Sequence, residues 1–271
     1  MPRILDYTGN DVSRSVTVAS IIASKDDAKP LTQVTAATAE EAAAAEAAGI
    51  EMVVCLSDFV PQVRAGSSSL FVTAAIDFSG AVSDDDLLAE AYTALSAGAD
   101  AVITARRLKA VKRIASEDIP VMGHLGFVPK KSTLYGGVRA VGKTAVEAKK
   151  LWKQFRRLED AGAFAVECEL IPERVMTEIN KRTGLVTVSL GSGRNADVMF
   201  LFTSDICGQG EHIPRHARAY GDLPSHEAKV REARVAALSA YRADVLAGNY
   251  PGDAEVASIA DDEFEGFMSK L

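Results

Sequence analysis

Three segments of the chain pass from a helical stretch into a buried strand in the same way: AAGIEMVV at residues 47–54, SAGADAVI at 96–103 and DAGAFAVE at 160–167. In each segment a glycine is followed by a short run rich in apolar and β-branched residues. Glycine adopts positive φ without strain, so it suits the turn that ends a helix. The repetition predicts a chain built from successive β-α units.

Short apolar runs alternate with helical stretches along the rest of the chain. The predicted helices have clear starts at Thr38, Ser83 and Thr144, which are N-cap residue types with acidic residues close behind them. Eight runs are predicted as strands: 33–36, 52–56, 70–75, 101–104, 121–123, 163–167, 185–190 and 198–202.

This alternation predicts an α/β protein, and the number of strands favours a (β/α)8 TIM barrel. A doubly wound parallel sheet gives the same local pattern and remains the alternative. We expect one domain over residues 1–271, with 1–30 as an N-terminal extension and 254–271 as an acidic tail that forms a short amphipathic helix.

Composition limits the classes of function. The 271 residues are 48% hydrophobic and carry a formal net charge of -7, without a basic block, which argues against nucleic acid as a partner. The N-terminus has no signal-peptide pattern, and no apolar run reaches the ~18 residues that suggest a membrane span. We therefore predict a cytoplasmic protein with no membrane partner. Its three cysteines lack metal-ligand spacing and are predicted to be reduced thiols: Cys55, Cys168 and Cys207.

Parallel barrels place their reactive groups just beyond the C-terminal ends of the strands. Polar residues occupy these positions after most of the predicted strands, and together they form a predicted polar ring on one face. Its candidate functional members are Ser57, Asp58, Asp77, Arg106, His124, Glu167 and Ser192.

Several motifs, in this order, resemble those of ketopantoate hydroxymethyltransferases. They are VMGHLGFVPKKSTLYGGVRAVGK at 121–143, AVECELIPERV at 165–175, VSLGSGRNADVMFLFTSDICG at 188–208, EHIPRHARAY at 211–220 and NYPGD at 249–253. The resemblance implies a TIM barrel of the phosphoenolpyruvate mutase/isocitrate lyase-like superfamily.

The same resemblance implies a reaction in pantothenate biosynthesis. A base removes a proton from 3-methyl-2-oxobutanoate, and the enolate of this small 2-oxo acid attacks methylenetetrahydrofolate while Mg2+ stabilises the enolate oxygen. Glu167 falls on the position of the catalytic base, and His124 falls on a histidine beside the bound oxo acid. The resemblance also implies a homo-oligomer.

The metal-binding acids of the family are replaced in this chain. Alignment from the AGAD and GHLG segments puts Ser57, Ala75 and Ala105 at the three acidic positions and Ile103 at a lysine. Two nearby aspartates are then the candidates for a shifted metal site. Asp77 keeps the strand face, whereas the neighbouring Asp58 needs a bulge to reach it.

Other polar residues are candidates for substrate binding. Ser57 ends a strand, and Ser192 lies in a glycine turn suited to an anion. The guanidinium of Arg106 suits a carboxylate, although Arg106 also suits the start of a surface helix. Purely structural roles for Glu167, in a salt bridge, and for His124 remain open, and we expect Glu169 to be solvated.

Three hypotheses follow from these residues. The first is a hydroxymethyltransferase-like enzyme that acts on a small 2-oxo acid through an enolate. The second is a diverged member of the superfamily with different lyase or C–C bond chemistry that does not need a metal. The third is a non-catalytic barrel retained for assembly, which loss of the acids would permit, although the retained GHLG segment and Glu167 favour a site that still binds a ligand.

Overall fold

The fold is known from a computed structural model, which describes residues 3–25, 27–76 and 80–271. Contacts between Cα atoms group the chain into two compact units. The first unit contains residues 1–206 and 210–219, and the second contains residues 207–209 and 220–271. The prediction of one domain over the whole chain stays a prediction.

The first unit is built around a closed barrel of eight parallel strands, which confirms the predicted TIM barrel. The closing pair, in which Val198 lies beside Leu31, excludes an open doubly wound sheet. A short antiparallel ribbon of β1 (Ile4–Leu5) and β2 (Asp11–Val12) precedes the barrel. The barrel strands are β3 (Leu31–Thr35), β4 (Met52–Leu56), β5 (Phe71–Ala75), β6 (Ala101–Ile103), β7 (Val121–Gly126), β8 (Ala165–Glu169), β9 (Val186–Leu190) and β10 (Val198–Leu201).

Helices follow or connect the strands of the first unit. Those of the first half are α1 (Val18–Ala23), α2 (Ala39–Ala47), α3 (Val60–Gly66), α4 (Asp84–Ser96) and α5 (Leu108–Ala115). Those of the second half are α6 (Ser132–Tyr135), α7 (Ala145–Asp160), α8 (Glu173–Asn180) and α9 (Thr203–Ile206).

The predicted helix starts are confirmed. The side chains of Thr38, Ser83 and Thr144 each accept a hydrogen bond from a backbone N–H in the first turn of α2, α4 and α7. Such a cap stabilises a helix by about 1 kcal/mol, because it satisfies a backbone donor that the helix leaves unpaired. The glycines after these helices have positive φ, as expected from the repeated segments.

Side chains of the barrel strands divide into two buried layers. Residues such as Val53, Val72 and Val166 pack between the strands and the helices. Residues such as Met122 and Ala165 fill the inside of the barrel. Because side chains alternate along a strand, His124 and Glu167 share the inner face with Met122 and Ala165 and lie nearer the strand ends.

The second unit contains α10 (Leu223–Ala247) and α11 (Asp261–Met268). The helix α11 confirms the predicted helix in the acidic tail. No residue of α10 is buried, and Val235, Leu238 and Tyr241 are among its exposed apolar side chains. No helix in the described ranges is both long enough and apolar enough to cross a membrane.

Candidate active site at the barrel mouth

A cavity of about 550 Å3 opens at the C-terminal ends of the barrel strands. This is the end at which (β/α)8 barrels carry their active sites. The charged side chains of its lining are Glu41, His124, Lys130, Glu167 and Glu169. Apolar residues form most of the remainder, including Ala75, Ile103, Ala105, Phe59, Leu190, Phe200 and Phe202.

The register of β7 and β8 brings three polar side chains together. His124 lies beside Glu167, and Gly126 lies beside Glu169. Glu167 and Glu169 are two residues apart on one strand, so both face the inside of the barrel. The histidine of the GHLG segment and the acids of the ECE segment therefore meet at the cavity.

The last residue of β7 has to be a glycine, Gly126. Its φ is +88°, and a Cβ at this position would lie 2.2 Å from the backbone oxygen of Glu169. A side chain at residue 126 would therefore displace β8 next to the site.

The three polar side chains form a compact cluster. The Nε2 atom of His124 lies 3.0 Å from Oε2 of Glu169 and 3.6 Å from Oε1 of Glu167. Glu167 is 7% exposed and Glu169 is 9% exposed. Glu41, by contrast, uses its carboxylate to accept the backbone N–H groups of Ala37 and Thr38 at the start of α2.

Burial and charge shift the protonation of this cluster. Burial raises the pKa of Glu167 above its ordinary value, and His124 opposes the rise while Glu169 adds to it. Burial lowers the pKa of His124, but the Glu167 charge, the hydrogen bond to Glu169 and the backbone carbonyl of Phe127 together raise it above its usual value. The cluster thus pairs an imidazole that favours its charged form with a carboxylate that holds a proton more tightly than usual.

The part of the cavity lining that β5, β6 and β10 contribute is largely apolar. Ala75, Ile103 and Ala105 line it with hydrocarbon, and the rings of Phe200 and Phe202 lie with their centroids 5.4 Å apart. The positions that the resemblance relates to metal-binding acids on β5 and β6 therefore carry no donor side chain.

Four of the residues predicted to bind a ligand or a metal are not part of the cavity lining: Ser57, Asp58, Arg106 and Ser192. Ser57 donates a hydrogen bond to Oε1 of Glu90 at 2.6 Å. Asp58 is exposed and does not line the cavity. Asp77 lies outside the described residues.

The side chains of Arg106 and Ser192 donate hydrogen bonds to backbone carbonyl oxygens. The guanidinium of Arg106 donates to the carbonyl oxygens of Ala81 and Val82 at 2.9 and 2.8 Å. The hydroxyl of Ser192 donates to the carbonyl oxygen of Cys168 at 2.7 Å, at a position that is 1% exposed. These contacts hold loops together, and neither side chain lines the cavity.

Glu169 and Lys130 are charged residues of the lining that were not selected from the sequence as site residues. Glu169 was expected to be solvated, and this was wrong, because β8 extends to Glu169 and pairs it with Gly126 inside the barrel mouth. The alternation E-C-E was the signal that would have found it. Lys130 follows β7 in a 3-10 turn and is the only lysine or arginine of the cavity lining among the described residues.

The barrel and its cavity define the class: a (β/α)8-barrel protein with a histidine and two buried carboxylates at the mouth. A phosphonopyruvate hydrolase in complex with oxalate and Mg++ shares the fold with a TM-score of 0.50 at 13% identity, over 94% of this chain and 97% of that one. A 2,3-dimethylmalate lyase, a PEP mutase/isocitrate lyase superfamily member, has a TM-score of 0.53 at 12% identity, over 94% and 99%.

Sequence similarity then gives the family. Residues 55–253 match the ketopantoate hydroxymethyltransferase family, and the chain belongs to it. A 3-methyl-2-oxobutanoate hydroxymethyltransferase of Kosmotoga olearia is 32% identical over 265 residues, which cover 88% of this chain and 96% of that protein. The enzyme of the same name from Pyrobaculum islandicum is 35% identical over 170 residues, which cover 62% of each chain.

Proposed function

We propose that this protein transfers a hydroxymethyl group to 3-methyl-2-oxobutanoate, a step of pantothenate biosynthesis. Family membership and the name of relatives that match most of the chain support the reaction. The observation that carries it is the burial of Glu167, which falls on the position that the resemblance relates to the catalytic base, at a cavity of about 550 Å3.

Glu167 is proposed as the catalytic base. Its carboxylate accepts the proton from the carbon next to the ketone, and the electrons of the broken C–H bond form the enolate. Water opens the methylene bridge of the one-carbon donor, which breaks its two C–N bonds and releases formaldehyde and tetrahydrofolate. The enolate carbon then attacks formaldehyde, and the new alkoxide takes back the proton held by Glu167 to form the hydroxymethyl group. Burial favours this role, because a carboxylate with a raised pKa is a stronger base than one in water.

Lys130 and His124 are proposed to contact the substrate. The substrate carboxylate would be repelled by Glu167 and Glu169, and Lys130 is the one lysine or arginine of the described lining that could attract it. His124 lines the cavity beside both acids and can donate to an oxyanion when it is charged. Arg106, Ser57 and Ser192 are not part of the proposed contacts, because their hydrogen bonds hold other groups.

Methylenetetrahydrofolate is the proposed one-carbon donor. The aromatic side chains of Phe59, Phe200 and Phe202 line the same cavity as the charged cluster. Flat aromatic rings pack well on such side chains, so they offer a surface for the ring system of the donor.

Mg2+ is the divalent cation that the family resemblance implies, and a related fold was solved with Mg++. Its implied position near β4, β5 and β6 does not fit this chain in the described residues, since Ala75 and Ala105 offer no oxygen donor and the Ser57 hydroxyl bonds to Glu90. No step of the mechanism is therefore derived through a cation at that position. We also propose a cytoplasmic homo-oligomer, supported by the exposed apolar side chains of α10, for which sedimentation of the purified protein is the test.

Two linked assays test the proposal. The first follows formation of ketopantoate from the oxo acid, methylenetetrahydrofolate and a divalent cation. The second follows deuterium uptake from D2O at C3 of the oxo acid without folate, which reports proton removal alone. We expect ketopantoate formation and deuterium uptake in the wild type, and we expect Glu167→Gln to lower both rates by about 100-fold or more. Deuterium uptake without transfer would instead favour a relative with different C–C bond chemistry, and neither activity would favour the non-catalytic barrel.

A further inference from the structure

The cluster at the mouth holds more negative than positive charge. Glu167 and Glu169 are both buried and both line the cavity, with one imidazole between them. Glu167 makes no hydrogen bond to any residue that the structure describes, and its nearest cationic atom is Nε2 of His124, at 3.6 Å. Burial of a carboxylate without a close partner is costly, so the site is suited to a further positive charge.

The spacing of the donor atoms fits a metal ion. One atom from each of His124, Glu167 and Glu169 lies within 4.8 Å of the other two. Ligands at right angles on an ion with bonds of about 2.1 Å lie about 3.0 Å apart, which is the separation of Nε2 of His124 and Oε2 of Glu169. We propose that His124, Glu167 and Glu169 bind a divalent cation, each through one donor atom.

This position lies on strands other than those of the family site. The family resemblance implies a cation near β4, β5 and β6, where the lining residues Ala75 and Ala105 carry only methyl groups. The proposed donors come from β7 and β8 of the same cavity. A cation bound there would still lie in the cavity that holds the oxo acid. Compared with the family, the metal site would therefore be on different strands of the same cavity.

The donor set also selects the kind of cation. Mg2+ prefers oxygen ligands alone, whereas an imidazole nitrogen favours transition metals, and carboxylates accept both. One nitrogen and two carboxylate oxygens therefore favour Mn2+, Co2+ or Zn2+ over Mg2+. We therefore expect the proposed site to differ in cation preference from the Mg2+ site that the family resemblance implies.

The role of the site in catalysis rests on the proposed function, with one change: a bound cation would replace charged His124 in stabilising the oxyanion, because a ligating Nε2 carries no proton. A carboxylate has two oxygens, so if Glu167 binds the cation through one of them, the other is available to accept a proton. Cation binding itself does not depend on that role, since it can be measured without substrate. Failure of transfer activity and failure of cation binding are therefore separate results.

The test is titration of the full-length, chelator-stripped protein with Co2+ and with Mn2+. Visible absorption reports Co2+ coordination, and the loss of the free Mn2+ signal in electron paramagnetic resonance reports Mn2+ binding. We expect saturable binding of one ion per chain, tighter for Mn2+ than for Mg2+ in competition. Glu169→Gln and His124→Gln should each weaken binding by about 100-fold.

Asp58→Asn and Asp77→Asn are the matched controls, because they remove one carboxylate each from the alternative positions. Both should bind Co2+ as the wild type does. Circular dichroism checks that each variant folds, and Co2+ should raise the Tm of the wild type and of the controls but not of Glu169→Gln. Binding that survives in Glu169→Gln and His124→Gln, or that is lost in Asp77→Asn or Asp58→Asn, would overturn the assignment, as would the absence of binding to the wild type.

Discussion

Replacement of Gly126 by alanine should disturb both the stability of the barrel and the cluster at its mouth. The new Cβ would lie 2.2 Å from the backbone oxygen of Glu169 and 2.8 Å from Cγ1 of Ile171. Relief of such a clash requires a backbone shift, which typically costs about 1–3 kcal/mol. The positive φ of +88° adds about 1–2 kcal/mol, because a side chain disfavours this conformation.

Gly136→Ala is the control. Gly136 follows α6 with φ of +72°, and nothing lies within 4 Å of its added Cβ. It should therefore lose only the about 1–2 kcal/mol that positive φ costs. The difference between the two variants measures the clash with β8 alone.

Thermal unfolding is the assay. About 1 kcal/mol corresponds to roughly 2–4 °C in a chain of this size, so Gly126→Ala should lower Tm by roughly 5–15 °C and Gly136→Ala by only a few degrees. Gly126→Ala should also weaken Co2+ binding, because Glu169 moves with its backbone. Equal Tm values for the two variants, or unchanged Co2+ binding in Gly126→Ala, would refute the reasoning.

Three further predictions concern substrate binding, acid stability and catalysis. Lys130→Met should weaken binding of 3-methyl-2-oxobutanoate about 10-fold by calorimetry, while Lys131→Met, beside it but not in the cavity lining, should not; similar losses in both would contradict a specific contact. The pKa of Asp197 is lowered despite its burial, because Thr187 and Lys25 stabilise its charge. The ionised carboxylate therefore stabilises the folded protein above about pH 4, and this contribution is lost as the pH falls below it. Acid unfolding of Asp197→Asn should accordingly depend less on pH than that of the wild type between about pH 2 and 5, and an unchanged pH slope would argue against it. Glu167→Gln should reduce kcat for transfer far more than it weakens oxo acid binding, and a change confined to KM would contradict its role as base.

Most of the fold could be predicted from the chain because its signals are local. The caps at Thr38, Ser83 and Thr144 depend on the few residues after each of them, and all three formed as expected. The strands were also found near their predicted positions, with β8 at Ala165–Glu169 instead of 163–167. Because β8 extends two residues further than predicted, Glu169 belongs to the strand and is buried at the barrel mouth.

The site depended on contacts between residues far apart in sequence. Glu169 is buried because β7 holds it in register with Gly126, and the residues around it alone do not reveal this pairing. Arg106 was expected to face the substrate, but its guanidinium donates hydrogen bonds to the carbonyl groups of Ala81 and Val82, in the segment between β5 and α4. Lys130 was not selected because its position in the cavity depends on the path of the chain after β7.

The pairing of β10 with β3 sets a condition on how the protein is made. Val198 and Leu31 are neighbours in the barrel, yet nearly the whole barrel is synthesised between them. Until β10 has left the ribosome, β3 and β9 have unpaired edges that can pair with strands of other chains. A chain truncated before residue 198 should therefore aggregate, and newly made chains should depend on chaperones until the last strand arrives.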